Sequence, residues 1–280
     1  MLLRSEKSIR LHRNAKRSKE IQKIISEFQK GAGRECPGGV NDLRILEFGC
    51  GNGFQIPYLK QLGTVYATDI YTSEEMRQNG YSLFLESDST QMPFPDKTFD
   101  IIFSNHVVEH LPEPEKTFKE LRRIAKQHCL YVFSVPTNIW LLLSLPSKYL
   151  GKVSSGSEYV LRKVLGKRRE NFSSPNDLEI RMNKEKEFSG LTKKHTRIIN
   201  ILLPKGHGVY SGFIECYKSF RMDSWIRFFT NSGFTLHSVI PLLLYGPSEF
   251  PLIPTISWPT KFGFCSSALF IMGTENRSSR

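Results

Sequence analysis

The chain has 280 residues, of which 39% are hydrophobic and 24% charged, and its formal net charge is +12. These proportions are ordinary for a globular protein and exclude an intrinsically disordered chain. The length suits one α/β domain with an added segment. Lys and Arg outnumber Asp and Glu by nine to three in residues 1–30 and by sixteen to seven in residues 137–221. Such segments fit an anionic partner (phospholipid, a phosphorylated substrate or RNA) or simply a solubilising surface, and both interpretations stay open.

Cysteine spacing and apolar runs indicate the compartment. The cysteines lie far apart and form no C-x-x-C pair, which argues against a disulfide framework or a zinc site; they are Cys36, Cys50, Cys129, Cys216 and Cys265. The N-terminus lacks the apolar stretch of a secretory signal. Apolar runs at 139–145 and 239–245 are far shorter than the roughly 20 residues that span a bilayer. We therefore expect a cytoplasmic protein, with at most peripheral contact at a membrane surface.

The first predicted element is an amphipathic helix. Ile21, Ile24, Ile25 and Phe28 recur at helical spacing after Ser18, which is a suitable N-cap residue. Strands and helices then alternate along the chain. Strands are predicted at 44–48, 65–70, 82–86, 99–104 and 129–135, and helices at 54–62, 74–79 and 114–126. This alternation predicts a parallel sheet covered by helices on both faces.

The regular alternation ends at Pro136. A buried helix is predicted again at 222–231, followed by strands at 234–244 and 266–272 that a long Pro-rich connection joins as an antiparallel pair. The predicted fold is α/β and Rossmann-like, with a mostly parallel seven-stranded sheet whose last strand is antiparallel. The predicted organisation is a basic amphipathic arm at 1–40, a core at 41–136 and 222–275, and an insertion at 137–221 that covers the substrate.

A glycine-rich turn follows the first predicted strand. Gly49, Gly51 and Gly53 allow positive φ and let a ligand approach the backbone where no Cβ intervenes. The spacing is G-x-G-x-G followed by Phe54, which differs from the dinucleotide-binding G-x-G-x-x-G. Glu47 lies two residues before the first glycine, where it would accept from the charged amino group of a bound amino acid and repel a pyrophosphate. The turn therefore predicts a ligand with an amino-acid end.

Two further acids follow predicted strands. Asp69 ends the second strand, and a carboxylate there can accept from both hydroxyls of a ribose. Asp88 follows the third strand and can accept from the amino group of adenine. Ile70 and Met92 are placed to sandwich that ring. Together with the glycine turn, these residues predict a site for methionine joined to adenosine.

These motifs resemble those of the class I S-adenosylmethionine-dependent methyltransferases, in particular the broad subgroup that includes small-molecule and ubiquinone-type enzymes. ILEFGCGNG is similar to the first family motif, VYATDI to the second, and DSTQMPFPDKTFDIIFSNHVVEHL to the third and fourth together. The resemblance covers about residues 42–136, and a weaker similarity is present at 225–234. It implies that S-adenosylmethionine is the cofactor.

The resemblance also implies a role for each cofactor-binding residue. The methionine end would be held by Glu47, Gly49, Gly51 and Gly53, the ribose by Asp69, and the adenine by Asp88 with Ser89, beside Ile70. Asn105 would lie beneath the sulfonium and its methyl group.

Methylation of an alcohol or phenol also needs a base to take the proton of the acceptor. Candidate bases follow the fourth strand or lie in the predicted insertion: His106, Glu109, His110, His195, His207 and Glu215. His207 is flanked by glycines just before the chain re-enters the core, where related folds cover the acceptor pocket. We hypothesise that His207 is the general base.

The triplet His106, Glu109 and His110 matches the H-x-x-E-H pattern of a zinc-peptidase class. That pattern needs a long helix, whereas here it follows a predicted strand and precedes Pro112, so we reject the peptidase interpretation. Some ubiquinone-pathway O-methyltransferases resemble this region and place a divalent cation on E-x-x-E-H. His106 replaces the first acid here, and we expect no metal.

The predicted reaction is O-methylation of a small, lipid-linked or sugar acceptor. An apolar patch at 140–145 beside basic residues suits a lipid-like molecule at a membrane surface, or a hydrophobic lid over an ordinary small molecule. An RNA or protein acceptor is the alternative; nucleic acid is disfavoured because no Asn/Asp-Pro-Pro-Tyr/Phe sequence follows the fourth strand. Minor alternatives are an NAD-dependent oxidoreductase and a non-catalytic subunit. The oligomeric state stays open.

Overall fold

The computed structural model describes residues 6–32, 43–71, 73–74, 76, 84–145, 206–245, 255–256, 260–261 and 263–274. Contacts divide the chain into two units, one formed by residues 1–144 with 206–280 and the other by residues 145–205. Most of the predicted insertion, including His195, lies outside the described residues, as does most of the predicted helix at 74–79. The predicted domain division stays a prediction.

The first unit is built on a β-sheet. Its described strands are β1 (Leu43–Phe48), β2 (Gly63–Asp69), β3 (Phe84–Glu86), β4 (Phe99–Asn105), β5 (Ala125–Pro136), β6 (Thr235–Pro241) and β7 (Ser267–Gly273). They form one seven-stranded sheet in the order β3-β2-β1-β4-β5-β7-β6. Pairing is parallel from β3 to β5, whereas β7 is antiparallel to both β5 and β6. The predicted fold class is confirmed.

Helices precede, connect and follow these strands. The described helices are α1 (Glu6–Ala32), α2 (Ile56–Leu59), α3 (Pro114–Ile124), α4 (Asn138–Leu143), α5 (Phe213–Ser219) and α6 (Met222–Asn231), and a 3₁₀ turn spans Val108–His110. The α6 bounds agree with the prediction, whereas α2 is shorter than the predicted 54–62. Two of these helices, α4 and α5, lie at the ends of the segment 137–221.

The α3–β5 boundary shows how burial sets the element limits. Pro114 starts the helix, where its missing N–H costs nothing. Phe118, Leu121 and Ile124 form the buried face. Ala125 is already extended and begins β5, so the strand is longer than the predicted 129–135 and the helix stops short of the predicted 126. Because β4 and β5 are parallel, their carboxyl ends lie at the same edge of the sheet.

Helix α1 is longer than predicted. It begins at Glu6, so Ser18 lies inside the helix and is not its N-cap. No Gly or Pro interrupts residues 6–17, which allows the helix to start earlier. The Ser18 hydroxyl accepts a 3.0 Å hydrogen bond from Tyr58 and thus has a partner outside the helix. The predicted apolar face is correct, since Ile21 and Phe28 are buried in the core that covers β1, β2 and β4.

Two sequence features, the apolar runs and the cysteines, can be compared with the described residues. Among the described residues, no helix is both long and apolar enough to cross a membrane. Cys50, Cys129, Cys216 and Cys265 are buried free thiols, and Cys36 lies outside the described residues. Burial raises the pKa of Cys265 to about 11, which is typical of a structural rather than a reactive thiol.

Candidate active site

The glycine turn connects β1 to α2 in a conformation that favours glycine. Gly49, Gly51 and Gly53 have φ of 75°, 57° and 73°. A Cβ at position 49 would clash with the side chain of Val107, whereas a Cβ at position 51 would meet nothing within 4 Å. Gly49 therefore serves packing between the β1 and β4 loops. Gly51 faces open space, as a ligand-binding turn requires.

Asp69 lies beside this turn because β1 and β2 are parallel neighbours. Its Oδ2 accepts from the Gly51 amide at 2.7 Å, and its Oδ1 accepts from the Ile70 amide at 2.8 Å. The backbone amides of Gly49 and Cys50 both donate to the Thr68 carbonyl, at 2.8 and 3.0 Å. The Asp69 carboxylate is thus fixed in orientation, and each oxygen keeps a lone pair for a ribose hydroxyl.

Glu47 is a buried carboxylate that is only half satisfied. It is 1% exposed. Its Oε1 accepts from Gln55 Nε2 at 3.2 Å, while Oε2 has no hydrogen-bond partner among the described residues. Burial raises the pKa of Glu47 to about 8; the Gln55 hydrogen bond opposes this shift and nearby Asp69 adds to it. An incoming cation would complete this group and favour its ionised form.

Asn105 ends β4 and is linked to Glu47 through a residue that the sequence motifs do not mark. Asn105 Nδ2 donates to Gln55 Oε1 at 2.7 Å. The Ser134 hydroxyl of β5 donates to Asn105 Oδ1. Gln55 therefore bridges Glu47 and Asn105. Sequence reasoning missed it because a glutamine carries no charge and falls just after the recognised motif.

The two residues predicted to contact adenine, Asp88 and Ser89, have hydrogen-bond partners within the chain. Asp88 Oδ1 accepts from the Thr90 amide at 2.7 Å and from the Thr90 hydroxyl at 2.9 Å. These hydrogen bonds lower the pKa of the exposed Asp88. Ser89 Oγ lies 3.0 Å from Thr117 Oγ1, so its side chain contacts α3. Ser89 is thus engaged in packing, and Asp88 shapes its own turn.

The predicted walls of the adenine pocket also differ from each other. Ile70 is 70% exposed, whereas Met92 is buried. Met92 is held by its backbone, because its amide donates to Glu120 Oε1 at 2.7 Å. Of the two, only Ile70 presents a largely uncovered apolar surface.

The candidate bases come together from two distant segments. His106, Glu109 and His110 lie in the turn after β4, and His207 lies in the segment that leads into α5. The rings of His110 and His207 are 4.9 Å apart between centroids. The Val209 amide donates to the Glu109 carbonyl at 3.1 Å, which joins the two segments. Exposed Glu215 lies outside this cluster and accepts from Ser211.

Glu109 lies at the centre of this cluster. It is buried, and neither carboxylate oxygen has a hydrogen-bond partner among the described residues. Oε1 lies 3.6 Å from His106 Nδ1 and 3.9 Å from His110 Nε2. Such a carboxylate can stabilise positive charge on a neighbouring imidazole.

His106 connects the cluster to α1. It has φ of 58°, unusual for a non-glycine residue. Its Nε2 lies 3.6 Å from Glu20 Oε1 and 3.2 Å from the Tyr245 hydroxyl, which donates to Glu20 at 3.1 Å. Burial alone would lower the pKa of His106, but Glu109 and Glu20 raise it to about 9. His106 is therefore an imidazolium between two carboxylates at neutral pH.

Three members of the cluster could also hold a cation. The ligand atoms of Glu109, His110 and His207 all lie within 4.8 Å of one another. A tetrahedral ion with bonds of about 2.1 Å would bring such atoms to about 3.4 Å. The spacing fits acid–base use as well, and the expectation of no metal stays a prediction.

Known proteins resemble this chain over about a third of its length. Residues 46–133 match the family model described as a methyltransferase domain. Cycloartenol-C-24-methyltransferase 1 of Oryza sativa subsp. japonica is 26% identical over 103 residues, which are 32% of this chain and 30% of that protein. Phosphatidylethanolamine N-methyltransferase of Cereibacter sphaeroides is 28% identical over 93 residues, 30% of this chain and 46% of that protein. The chain spans less than half the length of these curated relatives.

A solved structure shares the fold. It is described as a SAM-dependent methyltransferase, possible histamine N-methyltransferase, from Thermotoga maritima. Its sequence identity is 18%, it covers 97% of this chain and 94% of its own, and its TM-score is 0.50.

The sheet order separates this fold from the dinucleotide-binding alternative. An antiparallel β7 lies between β5 and β6, whereas the dinucleotide fold has the order 3-2-1-4-5-6. The G-x-G-x-G turn, the buried acid before it and the domain match on residues 46–133 agree with that distinction. Residues 46–133 therefore form a methyltransferase domain with the fold and motifs of the class I S-adenosylmethionine-dependent type.

Proposed function

We propose that this protein transfers the methyl group of S-adenosylmethionine to an oxygen atom of a small, lipid-linked or sugar acceptor. The observation that carries the proposal is the meeting of His207 with Glu109 and His110 directly after β4. Asn105, the last residue of β4, is the residue that the family resemblance places beneath the methyl group. A candidate base thus lies at the end of the cofactor site where the acceptor must enter.

The residues of the glycine turn fit the cofactor. Glu47 Oε2 is buried without a partner among the described residues, and the space above Gly51 is open. Glu47 would hold the ammonium of the methionine end, and Asp69 would accept from the ribose hydroxyls. When bound, S-adenosylmethionine supplies an electrophilic methyl group on a sulfonium.

The chain contributes to the reaction by positioning and proton transfer. S-adenosylmethionine would supply the methyl group and leave as S-adenosylhomocysteine, and His207 would take the hydroxyl proton of the acceptor oxygen. Glu109 stabilises the imidazolium that results, because its carboxylate lies in the same cluster. His106, already protonated, holds Glu109 in place.

Apolar side chains near His207 support a lipid-like acceptor. Trp140 packs edge-to-face on His207 with centroids 4.9 Å apart. Leu142 and Val209 are exposed although apolar. Two relatives are named as methyltransferases of cycloartenol and phosphatidylethanolamine, so lipid-like acceptors occur among similar proteins. Their names indicate carbon and nitrogen as acceptor atoms, and the choice of oxygen rests on the base cluster.

Transfer of labelled methyl from S-adenosylmethionine to fractionated cell extracts tests this function. We expect label in the lipid or carbohydrate fraction. His207→Ala should slow transfer by about a hundredfold or more with unchanged affinity for S-adenosylhomocysteine. His128→Ala is the matched control, because His128 is exposed near the amino end of β5. Label entering RNA or protein would contradict the acceptor class, and full activity of His207→Ala would contradict the base.

A further inference from the structure

Gln55 lies between two residues of the proposed cofactor site. It precedes α2, and its side-chain amide contacts Glu47 of β1 and Asn105 of β4. We propose that Gln55 positions the Glu47 carboxylate so that the site selects ligands carrying the amino-acid end of the cofactor. This inference rests on the proposed use of S-adenosylmethionine and adds a residue that the family motifs do not include.

The hydrogen bonds around Gln55 run in one direction. The Ser134 hydroxyl donates to Asn105 Oδ1, which leaves the Asn105 amide nitrogen to donate to Gln55 Oε1 at 2.7 Å. The nitrogen of Gln55 must then face Glu47, and it donates to Oε1 at 3.2 Å. A side chain here must accept on one side and donate on the other. Glutamine meets both requirements, whereas glutamate or a hydrocarbon does not.

The backbone of Gln55 is fixed as well. Its carbonyl accepts from the amides of Tyr58 and Leu59 at 3.0 and 3.1 Å. Pro57 lies in the first turn of α2 and restricts φ there. The side chain therefore starts from a rigid position, and its amide can orient Glu47 before a ligand arrives.

The two carboxylate oxygens of Glu47 therefore have different roles. Oε1 is occupied by Gln55, and Oε2 has no partner among the described residues. A ligand ammonium would pair with Oε2 and favour the ionised carboxylate, whereas a ligand without an ammonium would leave Glu47 protonated and without this ion pair. Gln55 thus contributes to discrimination at the methionine end and has no direct part in holding the adenosine end.

Isothermal titration with two named ligands tests this role in the full chain. S-adenosylhomocysteine carries the amino-acid end, and 5′-methylthioadenosine lacks it. Gln55→Ala should weaken the binding of S-adenosylhomocysteine by about tenfold or more, which is the effect of losing a hydrogen bond to a charged group. Binding of 5′-methylthioadenosine should change less than about twofold. Gln61→Ala, an exposed change just after the C-terminal end of α2, is the matched control and should affect neither ligand.

A second variant probes the direction of the hydrogen bonds. Gln55→Glu keeps the shape of the side chain but replaces the donor to Glu47 with a second carboxylate. We expect it to weaken the binding of S-adenosylhomocysteine selectively, as we expect for Gln55→Ala. Thermal unfolding of each variant verifies that it folds.

Three outcomes would overturn the inference. Equal weakening of both ligands would make Gln55 a structural residue, and unchanged affinity for S-adenosylhomocysteine would remove its role. If the unaltered protein bound neither ligand, the proposed function would fall together with the inference. The first two results leave the proposed function standing, so the two failures are distinguishable.

Discussion

Single residues in this protein show how burial turns ordinary side chains into a binding site. Glu47 and Asp69 both follow parallel strands, but only Glu47 is fully buried. Asp69 receives two backbone hydrogen bonds, whereas Glu47 receives one side-chain hydrogen bond and keeps one oxygen unpaired among the described residues. The two carboxylates therefore suit different ligand groups, a hydroxyl pair and a cation.

The raised pKa of Glu47 makes stability depend on pH. Burial raises the pKa of Glu47 from 4.5 to about 8 in the folded, ligand-free protein. The folded state therefore keeps a proton that the unfolded state releases between those values, so this group lowers the free energy of unfolding as pH rises from about 4.5 to about 8. The effect is at most on the order of 5 kcal/mol.

Glu47→Gln removes this titration. Denaturant unfolding of both proteins from pH 5 to pH 8.5 should show a flatter pH dependence for the variant, and the difference between the two curves isolates Glu47 from other groups. Parallel curves would contradict the buried, protonated Glu47.

At the scale of elements, α1 contacts the turn after β4 and the strands β6 and β7. Glu20 is 2% exposed and contacts Tyr245, His106 and Ser267. Lys23 Nζ donates to the Pro241 carbonyl at 3.1 Å, at the end of β6. The helix thereby joins the turn after β4 to the strands β6 and β7.

Loss of the Glu20 carboxylate should destabilise the fold. Glu20→Ala leaves the His106 imidazolium without one of its two carboxylates, and breaking such a buried pair costs about 3–5 kcal/mol. Glu27→Ala is the control on the same helix, since Glu27 forms an ion pair with exposed Lys30 at 3.0 Å and its loss should cost less than about 1 kcal/mol. Chemical denaturation measures both. Similar small losses in the two variants would show that the Glu20 network does not anchor α1.

At the scale of the whole molecule, the charge distribution supports a role at a membrane surface. Exposed Arg10, Arg13 and Arg17 follow one another along α1. The chain carries a net charge of +12, so an anionic surface would attract it. A lipid-linked acceptor would be presented at such a surface.

Vesicle co-sedimentation tests this attraction. The protein should bind vesicles containing phosphatidylglycerol and not those of pure phosphatidylcholine, and salt at about 0.5 M should release it, because screening shortens the range of the attraction. Replacing Arg10, Arg13 and Arg17 with Gln should reduce binding. The control replaces Lys97, Lys119 and Lys261 with Gln, which removes equal charge away from α1. Equal losses would indicate net charge rather than α1 as the cause.

The sequence by itself determined the fold class and predicted the residues at the methionine end of the cofactor site. The glycine turn, Glu47 and Asp69 lie in short segments where φ requirements and strand ends have local signals. The predicted start of α1 at Ser18 was wrong. Ser18 is a good N-cap residue by type, but it lies inside the helix and its hydroxyl accepts a hydrogen bond from Tyr58. The family resemblance assigned Ser89 to adenine; the Ser89 hydroxyl contacts Thr117 of α3, and the assignment stays a prediction.

Only the tertiary structure decided how the acceptor side is assembled. Four distant segments supply the contacting residues, which are Glu20, His106, His207 and Tyr245. Their contacts form because α1 and the segment before α5 pack against the turn at the carboxyl end of β4. Gln55 likewise acquires its role only where β1 and β4 become neighbours. Such contacts join residues far apart in the chain, so their spacing leaves no periodicity to read. Burial and hydrogen bonding in the folded state assign them their chemistry.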